Sequence, residues 1–253
     1  MPTKTRVMPV LLYKDLGLVK GIAFDSWRRV GSAMQAVKVY NLREVDELVF
    51  LDITASLEGR PPDFDLVDDL ADECFMPLAV GGGITNIEHV RKLLRVGADK
   101  IVLNTAAVEN PSLISETAEQ FGSQCVVVSI DAKRHDDGNY EVLTHSGTKG
   151  TGLDPVMAAR QAEERGAGEL LVTSVERDGT MTGYDVALMS RISSAVTIPV
   201  IAAGGAGSYE HMVMVLRDGG VQAVAAASIF HFTEQTPLEA KRYLAKQGFQ
   251  VRL

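Results

Sequence analysis

The stretch G-G-I-T-N-I-E-H at residues 82–89 decides the fold, because it returns as G-G-A-G-S-Y-E-H at residues 204–211. Glu88 and Glu210 are 122 positions apart in a chain of 253 residues, so the offset is close to half the chain. A period this long excludes a solenoid of short repeats. It predicts two related halves, each built from four strand–helix units.

Short apolar segments along the whole chain predict the strands of a parallel sheet, because most lack the alternation of a strand with one solvated face. The predicted strands are Val7–Tyr13, Glu47–Asp52, Pro77–Gly81, Lys100–Asn104, Cys125–Asp131, Glu169–Ser174, Ile198–Ala203 and Gln222–Ala227. Segments of helical period separate most of them, as at Ile87–Val96 and Pro155–Arg165. The pattern predicts an α/β fold, a single (β/α)8 TIM barrel domain over residues 1–253. A small hairpin insertion is expected after the fifth strand, at Ala132–Thr144.

Composition excludes several classes of protein. The net charge of -8 argues against nucleic acid as a partner. Apolar stretches such as Val221–Phe230 are too short to cross a membrane, and the N-terminus lacks a signal-peptide cleavage site. Cys74 and Cys125 predict buried free thiols in a cytoplasmic protein. No histidine pair has metal-ligand spacing and no dinucleotide fingerprint is present, so neither metal nor cofactor is expected.

Two glycine-rich loops follow predicted strands at the end of the barrel where active sites form. Gly83 follows the third strand and Gly205 follows the seventh, so the repeat relates the two loops. Glycine lets backbone N–H groups approach an oxyanion, and the next helix adds a partial positive charge. Each loop has a hydroxyl residue at the next strand end, which predicts two phosphate pockets; the alternative is two tight turns. The predicted contacts are Gly83, Asn104, Thr105, Gly205, Ala227 and Ser228.

Carboxylates at the same end of the strands are candidates for acid–base chemistry. Asp131 ends the fifth strand and is the strongest candidate. Asp52 ends the second strand and Asp178 follows the sixth. Their alternatives are a helix N-cap for Asp52 and a simple turn for Asp178-Gly179. Lys20, after the first strand, either binds a phosphate or is a solvated surface charge.

The repeat also exposes a difference between its halves. The fifth strand resembles the first at an offset of 119 residues, and this alignment places Asp131 against Leu12. Leucine cannot transfer a proton. If both halves once carried a carboxylate here, the first half has lost it.

Charged residues precede four of the strands, at the opposite end of the barrel. At one level of the barrel, two cations and two anions can form a closed ring of salt bridges. The alternative is ordinary solvated charge at the starts of strands. The four residues are Arg6, Glu47, Lys100 and Glu169.

Together these residues resemble the cyclase subunit of imidazole glycerol phosphate synthase, over nearly the whole chain. The most specific segments are F-L-D-I-T-A at 50–55, V-G-G-G-I at 80–84, S-I-D-A-K-R at 129–134, R-D-G-T at 177–180, A-G-G-A-G at 203–207 and A-A-S-I-F-H-F at 226–232. The resemblance implies a glutaminase partner of the class I amidotransferase type on the N-terminal face. Ammonia would pass through the barrel to a substrate held by two phosphates, in a cytoplasmic heterodimer.

The resemblance also implies roles for single residues. Asp131 matches one of the family's two catalytic aspartates, and Asp99 matches a position near the glutaminase interface. The four charged residues match the family's gate at the ammonia entrance, which outweighs the alternative of solvated charge. The matching substrate-binding positions are Lys20, Gly83, Asn104, Thr105, Asp178, Gly179, Gly205 and Ser228.

This sequence departs from the family at the first strand. The family has its other catalytic aspartate at the position of Leu12, and the following segment 24–32 also differs from the family's. The combination resembles a branch found with surface-polysaccharide genes, in which ammonia is supplied for amidination of an acetamido sugar. That resemblance implies a third, sugar-modifying enzyme as a further partner. Two alternatives stay open: an authentic cyclase of histidine biosynthesis, and a non-catalytic conduit that passes ammonia to another protein.

Overall fold

Strands and α-helices alternate along residues 4–253, the part of the chain that this computed structural model describes. The strands are β1 (Arg6–Lys14), β2 (Gly17–Ile22), β3 (Asp25–Gly31), β4 (Leu48–Asp52), β5 (Leu78–Gly81), β6 (Lys100–Leu103), β7 (Val126–Arg134), β8 (Tyr140–Thr144), β9 (Lys149–Gly150), β10 (Glu169–Ser174), β11 (Val200–Ala203) and β12 (Ala223–Ala226). The helices are α1 (Ala33–Leu42), α2 (Ala55–Glu58), α3 (Phe64–Glu73), α4 (Ile87–Arg95), α5 (Thr105–Glu109), α6 (Ser112–Phe121), α7 (Pro155–Glu164), α8 (Val186–Ser193), α9 (Tyr209–Asp218), α10 (Ser228–Phe232) and α11 (Pro237–Lys246). Within the described residues, no helix has the length and apolar character to cross a bilayer.

Eight of the strands close into a parallel barrel in the order β1-β4-β5-β6-β7-β10-β11-β12. The barrel closes where β12 pairs in parallel with β1, with Arg6 opposite Ala223. Each predicted strand starts within two residues of the observed one. The predicted (β/α)8 barrel is therefore confirmed.

Burial on both faces explains why the strands are continuously apolar. One face of the sheet packs against the helices, as at Leu11 and Leu48. The other face fills the barrel interior with a separate apolar cluster to which every barrel strand contributes. Its members are Met8, Val49, Ala79, Val102, Val127, Leu171, Ile201, Ala203, Ala223 and Ala225. This cluster separates the two ends of the barrel.

The twofold repeat is visible in the helix starts that follow the glycine-rich loops. Asn86 caps α4 by accepting a hydrogen bond from the His89 amide at 3.0 Å. Ser208, 122 positions later, caps α9 by accepting one from the His211 amide at 3.4 Å. The same local chemistry therefore begins the equivalent helix in each half.

Two antiparallel hairpins extend from the C-terminal ends of the barrel strands. The predicted hairpin after the fifth barrel strand is present, with β7 paired to β8. A second hairpin, formed by β2 and β3, follows the first barrel strand, where no strand was predicted. We call it the mouth hairpin (Gly17–Gly31).

Candidate active site

The C-terminal ends of the barrel strands and the mouth hairpin enclose a pocket that we call the mouth. Most of the predicted rim residues line it, including Asp131, Asp178 and Lys20. Other predicted residues in its wall are Leu12, Asp52, Gly83, Asn104, Thr105 and Ala227. The topology therefore gathers most of the rim positions that the sequence singled out into one cavity.

Asp131 lies on β7, three residues before the strand ends, and its carboxyl group lines the mouth. Its side chain is buried, and the Asn104 amide donates to its Oδ2 at 3.1 Å. Burial raises the pKa of Asp131 to about 7, and the negative charge of Asp178 contributes to the increase. Hydrogen bonds, from Ser129 first, oppose the shift without cancelling it. A carboxyl group with this pKa exchanges protons readily at neutral pH.

Asp178 is instead paired with a cation. Lys20 on β2 places its Nζ 2.8 Å from Oδ1 and 2.6 Å from Oδ2 of Asp178. Lys20 is 3% exposed, so it is not a solvated surface charge. The pair ties the mouth hairpin to the loop after β10.

Asp52 is likewise occupied by local partners. Its carboxylate accepts hydrogen bonds from the backbone amides of Thr54 and Ala55 at 3.1 Å each, at the start of α2. Arg60, which was not among the predicted site residues, places Nη1 2.8 Å from Oδ2 of Asp52. This geometry is that of the helix-start alternative, and a contact of Asp52 with substrate stays a prediction.

The strand register places Leu12 at the position equivalent to Asp131. Leu12 on β1 pairs with Leu51 on β4. Asp131 on β7 pairs with Thr173 on β10. Leu51 and Thr173 are 122 positions apart, the offset of the repeat, so their two partners are equivalent as well. The first half of the barrel therefore presents an aliphatic side chain to the mouth where the second half presents a carboxyl group.

The two glycine-rich loops have a packing requirement for glycine that is independent of any ligand. Gly83 and Gly205 adopt φ values of 69° and 101°. A Cβ on Gly83 would lie 2.5 Å from the Arg60 carbonyl oxygen, and one on Gly205 2.1 Å from that of Gly183. The tight-turn alternative is thus sufficient to explain glycine here, and phosphate binding remains a prediction.

The hydroxyl groups beside these loops differ in their partners. Thr105 Oγ1 accepts a hydrogen bond from the His145 amide at 3.1 Å. Ser228 Oγ is buried and has no hydrogen-bond partner among residues 4–253. A buried hydroxyl without a partner costs free energy unless something satisfies it. Ser228 follows Ala227 of the pocket wall but does not itself line the mouth, so contact of its hydroxyl with a ligand stays a prediction.

The four charged residues at the other end of the barrel form one closed ring, which we call the charged ring. Arg6 contacts Glu47 at 2.8 Å and Glu169 at 2.9 Å. Lys100 contacts the same two carboxylates at 2.8 and 2.9 Å. Burial lowers the pKa of Arg6, but the charges of Glu169 and Glu47 more than offset this, so the guanidinium pKa is raised. The ring closes the N-terminal end of the apolar barrel interior, and its role as a gate is still a prediction.

Asp99 lies at the same end of the barrel, immediately before β6. Its carboxylate Oδ2 accepts a hydrogen bond from the Leu78 amide at 2.9 Å, at the start of β5. This contact gives Asp99 a structural role on the N-terminal face. Its predicted place near a partner interface agrees with that position but is not tested by it.

The mouth also contains residues that the sequence analysis missed. Phe24 and Trp27 reach the mouth from the mouth hairpin, and Ser146 reaches it from the turn after β8. One signal was available: since β7 is followed by a hairpin, the repeat predicts a hairpin after β1 as well.

The fold and the site together define a (β/α)8 barrel protein with a titratable carboxyl group at the C-terminal mouth. Residues 6–236 match the family described as "Histidine biosynthesis protein". The chain is 51% identical over 251 residues to "Imidazole glycerol phosphate synthase subunit HisF" of Caulobacter vibrioides, strains NA1000 / CB15N and ATCC 19089. These alignments cover 99% of this chain and 96% of each relative. The chain belongs to the HisF family, that of the cyclase subunit of imidazole glycerol phosphate synthase. Neither name refers to surface polysaccharides.

Proposed function

We propose that this protein is the ammonia-accepting subunit of a glutaminase-dependent synthase of the cyclase type, acting on a phosphorylated substrate in the mouth. The observation that carries the proposal is the coexistence of two sites on one barrel axis: a titratable Asp131 at one end and a closed charged ring at the other. A protein that used only one end of the barrel would need only one of these two sites.

Asp131 is the proton-transfer group in this proposal. Asp52 and Asp178 are each held in an ion pair, with Arg60 and Lys20 respectively. Asp131 is held by neutral Asn104 and titrates near neutrality. Because Leu12 supplies no second carboxylate, proton transfers made by two groups elsewhere in the family would fall to Asp131 or to the substrate itself.

The proposed partner is a class I glutaminase that docks on the N-terminal face and delivers ammonia through the charged ring. The ring residues take no part in chemistry at the mouth, which lies beyond the apolar barrel interior. Four partly desolvated charges have an unfavourable solvation free energy. A barrel end that only faced water would give no reason to bury them. An entrance covered by a partner provides a reason for them.

Two acceptors are candidates. The names and high identity of the relatives favour the substrate of imidazole glycerol phosphate synthesis, a ribulosyl-phosphate aminoimidazole carboxamide, as in histidine biosynthesis. Leu12, which lies in the mouth where the family has its second catalytic aspartate, favours a second candidate, an acetamido sugar of surface-polysaccharide synthesis. A sugar-modifying enzyme would then act with the complex.

The test measures turnover of each acceptor with ammonium salt, with the isolated protein and with Asp131→Asn. We expect one acceptor to be consumed by the wild type, and turnover to fall about 10²–10⁴-fold in the variant. If neither acceptor reacts while glutamine hydrolysis by the partner is still stimulated, the protein is a non-catalytic conduit and the proposal is wrong.

A further inference from the structure

The mouth hairpin is fixed across the mouth by contacts with two other loops. The Ala23 amide donates to the carbonyl oxygen of Asp178 at 2.8 Å, next to the buried Lys20–Asp178 pair. On the other side, the Arg28 guanidinium lies 3.8 Å from the ring centroid of Phe232 in α10. The hairpin is therefore a built part of the mouth wall, anchored to the loop after β10 and to the helix after β12.

This hairpin presents aromatic surface to the mouth. Trp27, the one tryptophan of the chain, is partly buried and lines the pocket. Its indole packs directly on the backbone of Gly21, where an added Cβ would come within 2.9 Å of Cε3. Phe24 lines the pocket from the hairpin tip and packs against Gly147, where an added Cβ would lie 2.7 Å from its Cδ2. Glycine at both contact points lets the rings lie close to the backbone.

Leu12 extends this apolar surface onto the barrel. It pairs with Val19 of β2, so its side chain belongs to the same side of the mouth as the hairpin. Phosphate groups gain nothing from an indole, a phenyl ring and an isobutyl group. A ligand that covers this surface must carry an apolar or planar face in addition to its phosphates.

We propose that Trp27 is a specificity-determining residue that stacks on a ring of the acceptor, either a planar heterocycle or the apolar face of a sugar. The inference rests on the proposed function, because it deepens the description of the same acceptor. Aromatic side chains stabilise such ring contacts by offset or edge-on packing beyond simple burial. The shared chemistry is a phosphorylated compound with one ring face that avoids water.

The experiment is calorimetric titration of the isolated full-length protein with three probes: imidazole glycerol phosphate, a phosphorylated acetamido sugar and inorganic phosphate. We expect one ring compound to bind more tightly than inorganic phosphate and to shift the emission of Trp27. Trp27→Ala should weaken its binding roughly tenfold and leave inorganic phosphate unaffected. Trp27→Phe, which keeps a ring, should retain most of the affinity. Ile22→Ala is the matched control, since Ile22 lies on the same hairpin and is 56% exposed.

The probes separate the two sources of the ring, because only the matching one gains affinity from Trp27. An equal affinity for all three probes overturns the inference, as does unchanged ring-compound binding in Trp27→Ala. Loss of inorganic phosphate binding in the same variant also counts against it, because it indicates displacement of the hairpin. Binding is measured without turnover, so an inactive protein with normal Trp27 effects refutes the proposed function and leaves the specificity role standing.

Discussion

β1 and β7 are equivalent strands of the two half-barrels, and each continues into an antiparallel hairpin at the mouth, yet only β7 carries a carboxyl group. Leu12 and Asp131 occupy the equivalent positions. Burial of a leucine side chain stabilises the fold by about 1.5–3 kcal/mol. Burial of an ionised aspartate does the opposite, and here it raises the carboxyl pKa to about 7.

The fold does not require a carboxyl group at this position of the barrel strand. The barrel closes equally well around either side chain, so the position is not required to be acidic. Asp131 therefore has a cost to stability for which packing supplies no reason, and proton transfer at the mouth supplies one. Packing alone favours an aliphatic side chain, such as that of Leu12, at this position.

Asp131→Asn removes the carboxyl group from the second half-barrel, so that neither of the two equivalent positions can transfer a proton. We expect turnover with ammonium salt to fall about 10²–10⁴-fold, since asparagine keeps the shape and loses the titratable group. Steady-state kinetics on the reactive acceptor measures this. Asp52→Asn is the control at the same rim. A larger loss of turnover in Asp52→Asn than in Asp131→Asn would mean that Asp52, and not Asp131, transfers the proton.

The half-barrels also differ on the N-terminal face. Phe75 is 85% exposed before β5, whereas Thr197, 122 positions later, donates its hydroxyl to Glu163 at 2.6 Å. If a glutaminase docks here, Phe75 is the better anchor, and Phe75→Ala should weaken the complex roughly tenfold or more. Thr197→Ala should change the dissociation constant little. Equal effects of the two substitutions in a calorimetric titration would show that docking does not favour the first half.

The charged ring is where the two halves act together, because Lys100 of the first half bridges to Glu169 of the second. Lys100→Ala leaves two carboxylates with one cation, and the ring should open or misalign. We expect the amount of glutamine consumed per product to rise severalfold as ammonia escapes. If Lys100→Ala forms a normal complex and consumes no more glutamine per product than the wild type, the charged ring is not a gate for ammonia. Lys149→Ala, which breaks an exposed pair with Glu109, is the control.

Stability should follow pH differently at the two equivalent positions. The folded-state pKa of Asp131 lies above its unfolded value, so the stability it contributes is present below about pH 4 and is lost as pH rises towards about 7. Asp131→Asn should therefore melt a few degrees above the wild type at pH 8, and the difference should shrink on acidification. Leu12→Asn should melt below the wild type by an amount that does not vary with pH. A constant difference for Asp131→Asn in thermal melts would mean that its pKa is not raised.

The fold was largely predictable because each barrel strand, buried on both faces, is a continuous apolar run. The mouth hairpin was not, because its turn uses Ala23 and Phe24 at φ values of 50° and 61° instead of the usual Asn-Gly signal. The repeat predicted the equivalence of Leu12 and Asp131. By contrast, the Lys20–Asp178 pair joins residues 158 positions apart, and only the closed barrel brings them together.

In the proposed function, the mouth has one proton-transfer group where its symmetry provides for two. Leu12→Asp tests it most directly, in an assay of imidazole glycerol phosphate formation from the ribulosyl-phosphate substrate and ammonium salt. Restoring the carboxylate should raise turnover by about 10²-fold or more over a slow wild type, and Asp131→Asn in the same background should abolish the gain. A wild type that already turns over at the rate of its relatives, with Leu12→Asp unchanged or slower, would contradict the claim.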